Sequence, residues 1–161
     1  MAHQDVVSSL GDPRSSLRVT TNPLPLVRHR LVEAANGAAF VKAMAKRGLD
    51  AVTSPTVVNE LSTDRLLISE WVDGTRLDRD GSDDVPRLCG VAINAYLTML
   101  LDTGTLHCDP HPGNLLRTTD GRLCILDWGM TLDVPSSLQY ALLEFIAHLI
   151  SEDYEASDRD L

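Results

Sequence analysis

Apolar positions recur at helical spacing in three stretches of the chain. From Leu26 to about Arg47, Val27, Leu31, Ala34, Ala35, Ala38, Val41 and Ala45 fall at steps of three and four, which predicts a helix closed by Gly48. From Pro86 to Thr103 the inward set is Leu88, Val91, Ala92, Ala95, Leu100 and Leu101, with Pro86 in the first turn and Gly104 at the end. From about Ser137 to Ser151, Leu138, Leu142, Phe145, Ile146 and Leu149 form a stripe, and Ser136 with Gln139 spells a capping box.

Shorter apolar runs lie between these helices. Arg65 to Val72 reads as a buried strand, and Ala51 to Val58, with Pro55 inside it, as an edge or irregular strand. Asn59 to Asp64 is the turn that joins them as a hairpin. Leu115-Leu116 and Leu123 to Leu126 flank Thr119-Asp120-Gly121, and the Asp-Gly pair predicts a second hairpin. Leu77 to Val85 is rich in Asp and reads as a solvated linker. Residues 1–25 hold Pro13, Pro23 and Pro25 and show no period, so they read as an irregular or disordered leader.

Composition narrows the function classes. Length suits one domain, and 43% apolar residues suffice for a core. The net charge of −9, with no basic run, argues against nucleic-acid binding. Cys89, Cys108 and Cys124 are odd in number and widely spaced, as expected of thiols in a reducing compartment. The longest apolar run, Val91 to Leu101, is too short and too interrupted to span a membrane. Residues 1–30 carry Arg, Ser and Thr and few acids, which fits either a transit segment or a short leader; the leader is the preferred reading.

The candidate chemistry lies in His107 to Asn114, H-C-D-P-H-P-G-N, and in Asp127-Trp128-Gly129. Protein kinases place a catalytic-loop H-x-D-x-x-x-x-N before a D-[FW]-G whose Asp holds magnesium. Asp109 can accept a hydroxyl proton or orient an acceptor. Asn114 and Asp127 offer the oxygen ligands that a hard cation prefers. The intervening hairpin is long enough to bring them together. Alternatives are a Pro-rich surface turn and a metal site from His107, Cys108 and His111, whose spacing is crowded for a closed zinc centre. His107 reads as a structural support for the loop. His111 stands where many kinases carry a Lys that contacts the γ-phosphate. Ser69-Glu70-Trp71-Val72 reads as a hinge in which backbone groups of Glu70 and Val72 pair with adenine, with Ser69 as gatekeeper. Glu33 stands on the first helix, where kinases place a Glu that pairs with a strand Lys. The only lysines, Lys42 and Lys46, both follow Glu33, and Gly11 is the only glycine before Gly37.

Four stretches resemble the UbiB family, the AarF-domain or ADCK atypical kinases. They are E-A-A-N-x-x-x-F (Glu33 to Phe40), S-T-D-R-L-L-I-S-E-W-V-D-G (Ser62 to Gly74), H-C-D-P-H-P-G-N-L-L (His107 to Leu116) and I-L-D-W-G-M (Ile125 to Met130) with the helix behind it. The resemblance implies an α+β, protein-kinase-like fold. Residues 26–73 would be an N-lobe remnant with αC helix, incomplete hairpin and hinge, and residues 74–161 part of the C-lobe. It implies ATP or ADP bound with Mg, Asp109 as the catalytic Asp, Asn114 and Asp127 as metal ligands, and Glu33 as the αC Glu. It further implies a link to prenylquinone lipids or a quinone-biosynthesis complex, in a plastid or mitochondrion, or in the cytoplasm or at a membrane in a bacterium. The family's K-x-G-Q helix, Ala-rich nucleotide loop and strand Lys are not recognisable, and Trp128 replaces the commoner Phe. Weak or absent turnover is therefore expected. A non-catalytic pseudokinase-like scaffold and an aminoglycoside- or choline-kinase-like phosphotransferase are the alternatives.

Overall fold

A computed structural model describes the backbone of residues 6–9, 16–21, 29–63 and 66–152, with side chains from Val32 onward. In chain order the elements are β1 (Val6–Ser9), β2 (Ser16–Thr21), α1 (His29–Ala45), β3 (Val52–Thr53), β4 (Leu66–Glu70), β5 (Gly74–Arg76), α2 (Val85–Thr98), β6 (Thr105–His107), β7 (Leu115–Thr118), β8 (Leu123–Ile125), β9 (Thr131–Asp133) and α3 (Ser136–Ile150). They form an α+β, kinase-like arrangement.

The first sheet has the order β1-β2-β4, antiparallel throughout, with Leu17 opposite Glu70 and Val19 opposite Ile68. This corrects the irregular reading of residues 1–25 at 6–9 and 16–21; the rest of that stretch lies outside the described residues. The reason is local. Val6-Val7 and Val19-Thr20-Thr21 are β-branched; β2 satisfies an edge of β4 that would otherwise present unpaired backbone groups, and β1 in turn pairs with β2. β4 is also bridged on its other side, Ser69 to Val57, so the predicted hairpin with Ala51 to Val58 reduces to an isolated bridge.

The second sheet has the order β3-β8-β7-β5. The β7–β8 hairpin forms where Asp120-Gly121 predicts it, and Gly121 takes φ +81° in the turn. β3 lies parallel to β8, Val52 beside Leu123. Between these strands, α1 and α2, the core gathers Phe40, Met44, Val52, Leu88, Ala92, Ala95, Met99, Leu115, Leu123, Ile125 and Trp128. On α1 the inward face is Gly37, Phe40 and Met44, whereas Ala35, Ala38 and Ala45 are exposed. Alanines at almost every phase hide the true face of this helix.

α2 ends in a wide π-type turn, Met99–Thr103, closed by Gly104 at φ +73°. The wider turn shifts the helical phase. Met99 continues the buried series Leu88, Ala92 and Ala95 at helical spacing, while Leu100 and Leu101, expected inward, are only half-buried. α3 starts after Pro135 without a side-chain cap, so the capping box does not form. Gln139 instead donates from Nε2 to Leu100 O at 2.9 Å. The segment read as a solvated linker is also pinned: the Asp80 side chain is only 3% exposed and pairs with Arg117 on β7. The Arg117 guanidinium, and then the Ser82 amide at 2.9 Å, hold the Asp80 carboxyl down at about 2.

Candidate functional site

The site is built outward from His107. β6 carries this residue into the interior, where it is 1% exposed. Its Nε2 lies 2.8 Å from Asp127 O and 3.3 Å from Leu126 O. Both are acceptors, so Nε2 carries the proton and donates. Nδ1 is then an acceptor, and it receives the Tyr96 hydroxyl at 3.1 Å and the Asp109 amide at 3.3 Å. Burial, reinforced by electrostatic interaction with Asp109 and Cys108, pushes the Tyr96 hydroxyl up to about 12, so it stays a donor at neutral pH. One ring thus spans α2, the start of the catalytic-type loop and the backbone of Asp127.

The loop closes on itself. Asn114 donates from Nδ2 to Asp109 Oδ2 at 2.8 Å and to Asp109 O at 3.3 Å. His111 accepts the Gly113 amide on Nδ1 at 3.0 Å, capping the short turn Pro112–Asn114. A Cβ at Gly113 would run into the Arg76 guanidinium from β5, so a larger residue there would have to displace that side chain. The β7–β8 hairpin then returns the chain: the Leu126 amide donates to Asn114 O at 2.8 Å, immediately before Asp127.

Asp127 adopts φ +57°, a left-handed conformation that Asp tolerates better than most residues. Its Oδ1 accepts the Gly129 amide at 3.2 Å. Trp128 points into the core, where it stacks on Phe40 of α1 at 4.6 Å between centroids and meets His107 edge-on at 4.9 Å. Its Nε1 donates to Ile125 O at 3.1 Å. Glu33 reaches the same turn. A Cβ at Gly129 would stand 3.2 Å from Asp127 Oδ1 and 3.8 Å from Glu33 Oε2, so the two carboxylates flank Gly129. Glu33, Asp127 and Ser69 line one pocket. Glu70 and Val72 line a neighbouring cavity of about 250 Å³, shared with Trp71, Arg76, Gly113 and Leu126.

The sequence-predicted residues therefore fall into two adjoining groups: Asp109, Asn114 and Asp127 around the loop with Glu33 beside them, and Glu70 with Val72 along the cleft. His111 is exposed at the rim. Sequence reasoning missed Tyr96, Asn36 and Arg76. Asn36, one turn beyond Glu33 on α1, carried a usable signal, since residues three apart share a helix face. Tyr96 carried none, because an aromatic in an apolar stripe reads as core. Among the described residues no group of three or more His, Cys, Asp and Glu side chains gathers as a metal cluster. Lys42 lies on the exposed side of α1, along an outer groove with Ala38 and Thr56. No helix among the described residues is long and apolar enough to cross a membrane.

A small antiparallel sheet with one helix, a crossing strand, and an H-x-D-x-x-x-x-N loop coupled to a D-W-G turn define a protein-kinase-like fold. The same fold is seen in the complex of Rv3197 with erythromycin from Mycobacterium tuberculosis, with TM-score 0.61 and 23% identity over 91% of this chain and 48% of that one. The chain belongs to the ABC1 atypical kinase-like domain family, whose model matches residues 29–160. Among its relatives is the Arabidopsis thaliana protein ACTIVITY OF BC1 COMPLEX KINASE 3, chloroplastic, 37% identical over 80% of this chain. A second chloroplastic Arabidopsis relative, an aarF domain-containing protein kinase, is 39% identical over 81% of this chain. A Synechocystis protein is 34% identical over 80%. This chain spans 18% of the length of each of the two Arabidopsis relatives.

Proposed function

We propose that this chain binds ATP or ADP with magnesium in the cleft between β4–β5 and the His107–Asn114 loop. The observation that carries the reading is the closed set Asp109, Asn114 and Asp127, drawn together by Asn114 Nδ2 on Asp109 and by His107 on the backbone of Asp127. Adenine would lie along Glu70 and Val72. The Glu70 amide is committed to Thr56 O at 2.8 Å, so its carbonyl is the group left for the base.

The donor set fits magnesium. Asn114 spends its amide nitrogen on Asp109 and keeps Oδ1, and Asp127 adds carboxylate oxygens, the hard ligands this ion takes alongside phosphates and water. When bound, the ion supplies neutralisation of phosphate charge. Asp109, oriented by Asn114, would position an acceptor hydroxyl or receive its proton. His111 Nε2 would face the phosphates from the rim as a neutral donor, weaker than a Lys. Glu33 would act as the αC carboxylate.

Turnover in this chain is expected to be weak. Both lysines lie beyond Glu33 on or after α1, and phosphoryl transfer depends on preorganised positive charge. The division into an N-lobe remnant, 26–73, and a C-lobe part, 74–161, goes with this reading. The chloroplastic relatives and the family resemblance support a plastid location and a role in prenylquinone lipid metabolism. The test is a thermal-shift titration of the purified chain with Mg-ADP and Mg-ATP. A nucleotide- and magnesium-dependent rise in Tm, lost in Asp127→Ala, supports the reading; no shift with either nucleotide rejects it. That second result favours a non-catalytic scaffold, a reading the exposed apolar residues of α3 independently support.

A further inference from the structure

We propose that Asn36 is a positioning residue that latches α1 onto the turn carrying Asp127, and so sets the magnesium affinity of the site without touching the ion. The metal half of this statement rests on the nucleotide reading above; the latch itself does not.

The geometry is specific. Asn36 is half-buried on α1, and its Nδ2 donates to Thr131 Oγ1 at 2.8 Å and to Trp128 O at 3.4 Å. These acceptors lie on both sides of Gly129-Met130, just after Asp127 and at the start of β9. One amide group therefore grips the turn at two points. Its neighbour makes room: a Cβ at Gly37 would stand 2.8 Å from Ser54 Oγ and 3.1 Å from Trp128 Cδ1. One turn further on, Phe40 stacks on the Trp128 ring. Asn36, Gly37 and Phe40 thus form a continuous strip of α1 against residues 128–131.

The turn needs such a hold. Asp127 has a left-handed backbone, which persists only where the surroundings over-determine it. His107 fixes the turn from below through Asp127 O, and Asn36 fixes it from the α1 side. Without Asn36 the carboxylate of Asp127 would sample a wider range of directions. Groups that orient a metal ligand from outside the coordination shell govern affinity in this way.

The experiment uses the full 161-residue chain. Asn36→Ala and the milder Thr131→Val each remove one end of the latch, and Thr131→Ser retains the acceptor oxygen. Magnesium is titrated against a fixed ADP concentration and read as Tm. The expected result is a rise of about tenfold in the magnesium midpoint for Asn36→Ala and Thr131→Val, near-wild-type behaviour for Thr131→Ser, and unchanged ADP binding in EDTA. An unchanged magnesium midpoint in folded Asn36→Ala overturns the proposal. A second readout needs no ligand. In a Trp71→Phe background Trp128 is the sole tryptophan, and its quenching by acrylamide is expected to increase in Asn36→Ala and Thr131→Val but not in Thr131→Ser. Unchanged quenching in all three overturns the latch. If the wild-type chain shows no magnesium-dependent response at all, the nucleotide reading fails while the quenching result still decides the latch.

Discussion

α1 and α3 are helices of similar length with opposite fates. α3 has the clearer stripe in its sequence, yet none of its residues is fully buried, and Leu138, Leu149 and Ile150 are exposed. α1, blurred by alanines, sends Phe40 and Met44 into the core and Gly37 and Asn36 against the site. The strength of an apolar pattern reports how much surface a helix could bury. It does not report whether anything covers that surface.

The sharpest way to break this comparison is to truncate one side chain on each helix. Phe40→Ala should cost about 3–5 kcal/mol in urea unfolding, because it opens a cavity beside Trp128. Ile150→Ala, at a residue 79% exposed, should stay within about 0.5 kcal/mol. Equal costs would mean that α3 is as well packed as α1. Next in size is Gly37→Ala, for which overpacking against Ser54 and Trp128 should cost about 1–3 kcal/mol. It should also lower the protection of Trp128 from acrylamide. An unchanged Tm would show that the strip is looser than the 3.1 Å approach implies. Gln139→Ala, which removes a long-range polar tie from α3 to the end of α2, should cost about 1 kcal/mol, read from the same urea curves.

The smallest effect is in pH. The Asp80 carboxyl is held at about 2, below its ordinary 3.8, chiefly by Arg117. A lowered carboxyl stabilises the fold above its unfolded value and loses that contribution as pH falls through the folded one. Stability should therefore decline between about pH 4 and pH 2 in part through this pair. Asp80→Asn should flatten that segment of the Tm profile without altering its shape above pH 5, a result that differential scanning fluorimetry can check.

Much of the site was legible because its signals are local in sequence. His107 to Asn114 is a single loop, Asp120-Gly121 announces the hairpin that follows, and the chain therefore had to return to Asp127 nearby. What was not legible depends on distant partners. Nothing near Asn36 announces Thr131 or Trp128, and nothing near Asp80 announces Arg117. β1 and β2 were unreadable for a related reason: four to six Val-, Ser- and Thr-rich residues become strands only when β4 offers an edge. The face of α1 was misread because alanine is small enough to occupy any phase, and the end of α2 because Met99, in phase with Ala92 and Ala95, takes the inward place expected of Leu100 and Leu101. The capping box failed since the N-cap is Pro135, which has neither a hydroxyl nor an N–H to exchange with Gln139, and Gln139 donates to Leu100 O instead.

The parallel pairing of β3 with β8 has a consequence for how this chain reaches its fold. Val52 pairs with Leu123, 71 residues further along the chain (123 − 52), on a strand that also belongs to the β7–β8 hairpin. Local elements such as the β7–β8 hairpin and α2 are expected to form early, and the β3 docking to follow only after the rate-limiting barrier has been crossed. A stopped-flow refolding experiment on a Val52→Ala variant would then show a faster unfolding limb with an almost unaltered refolding limb.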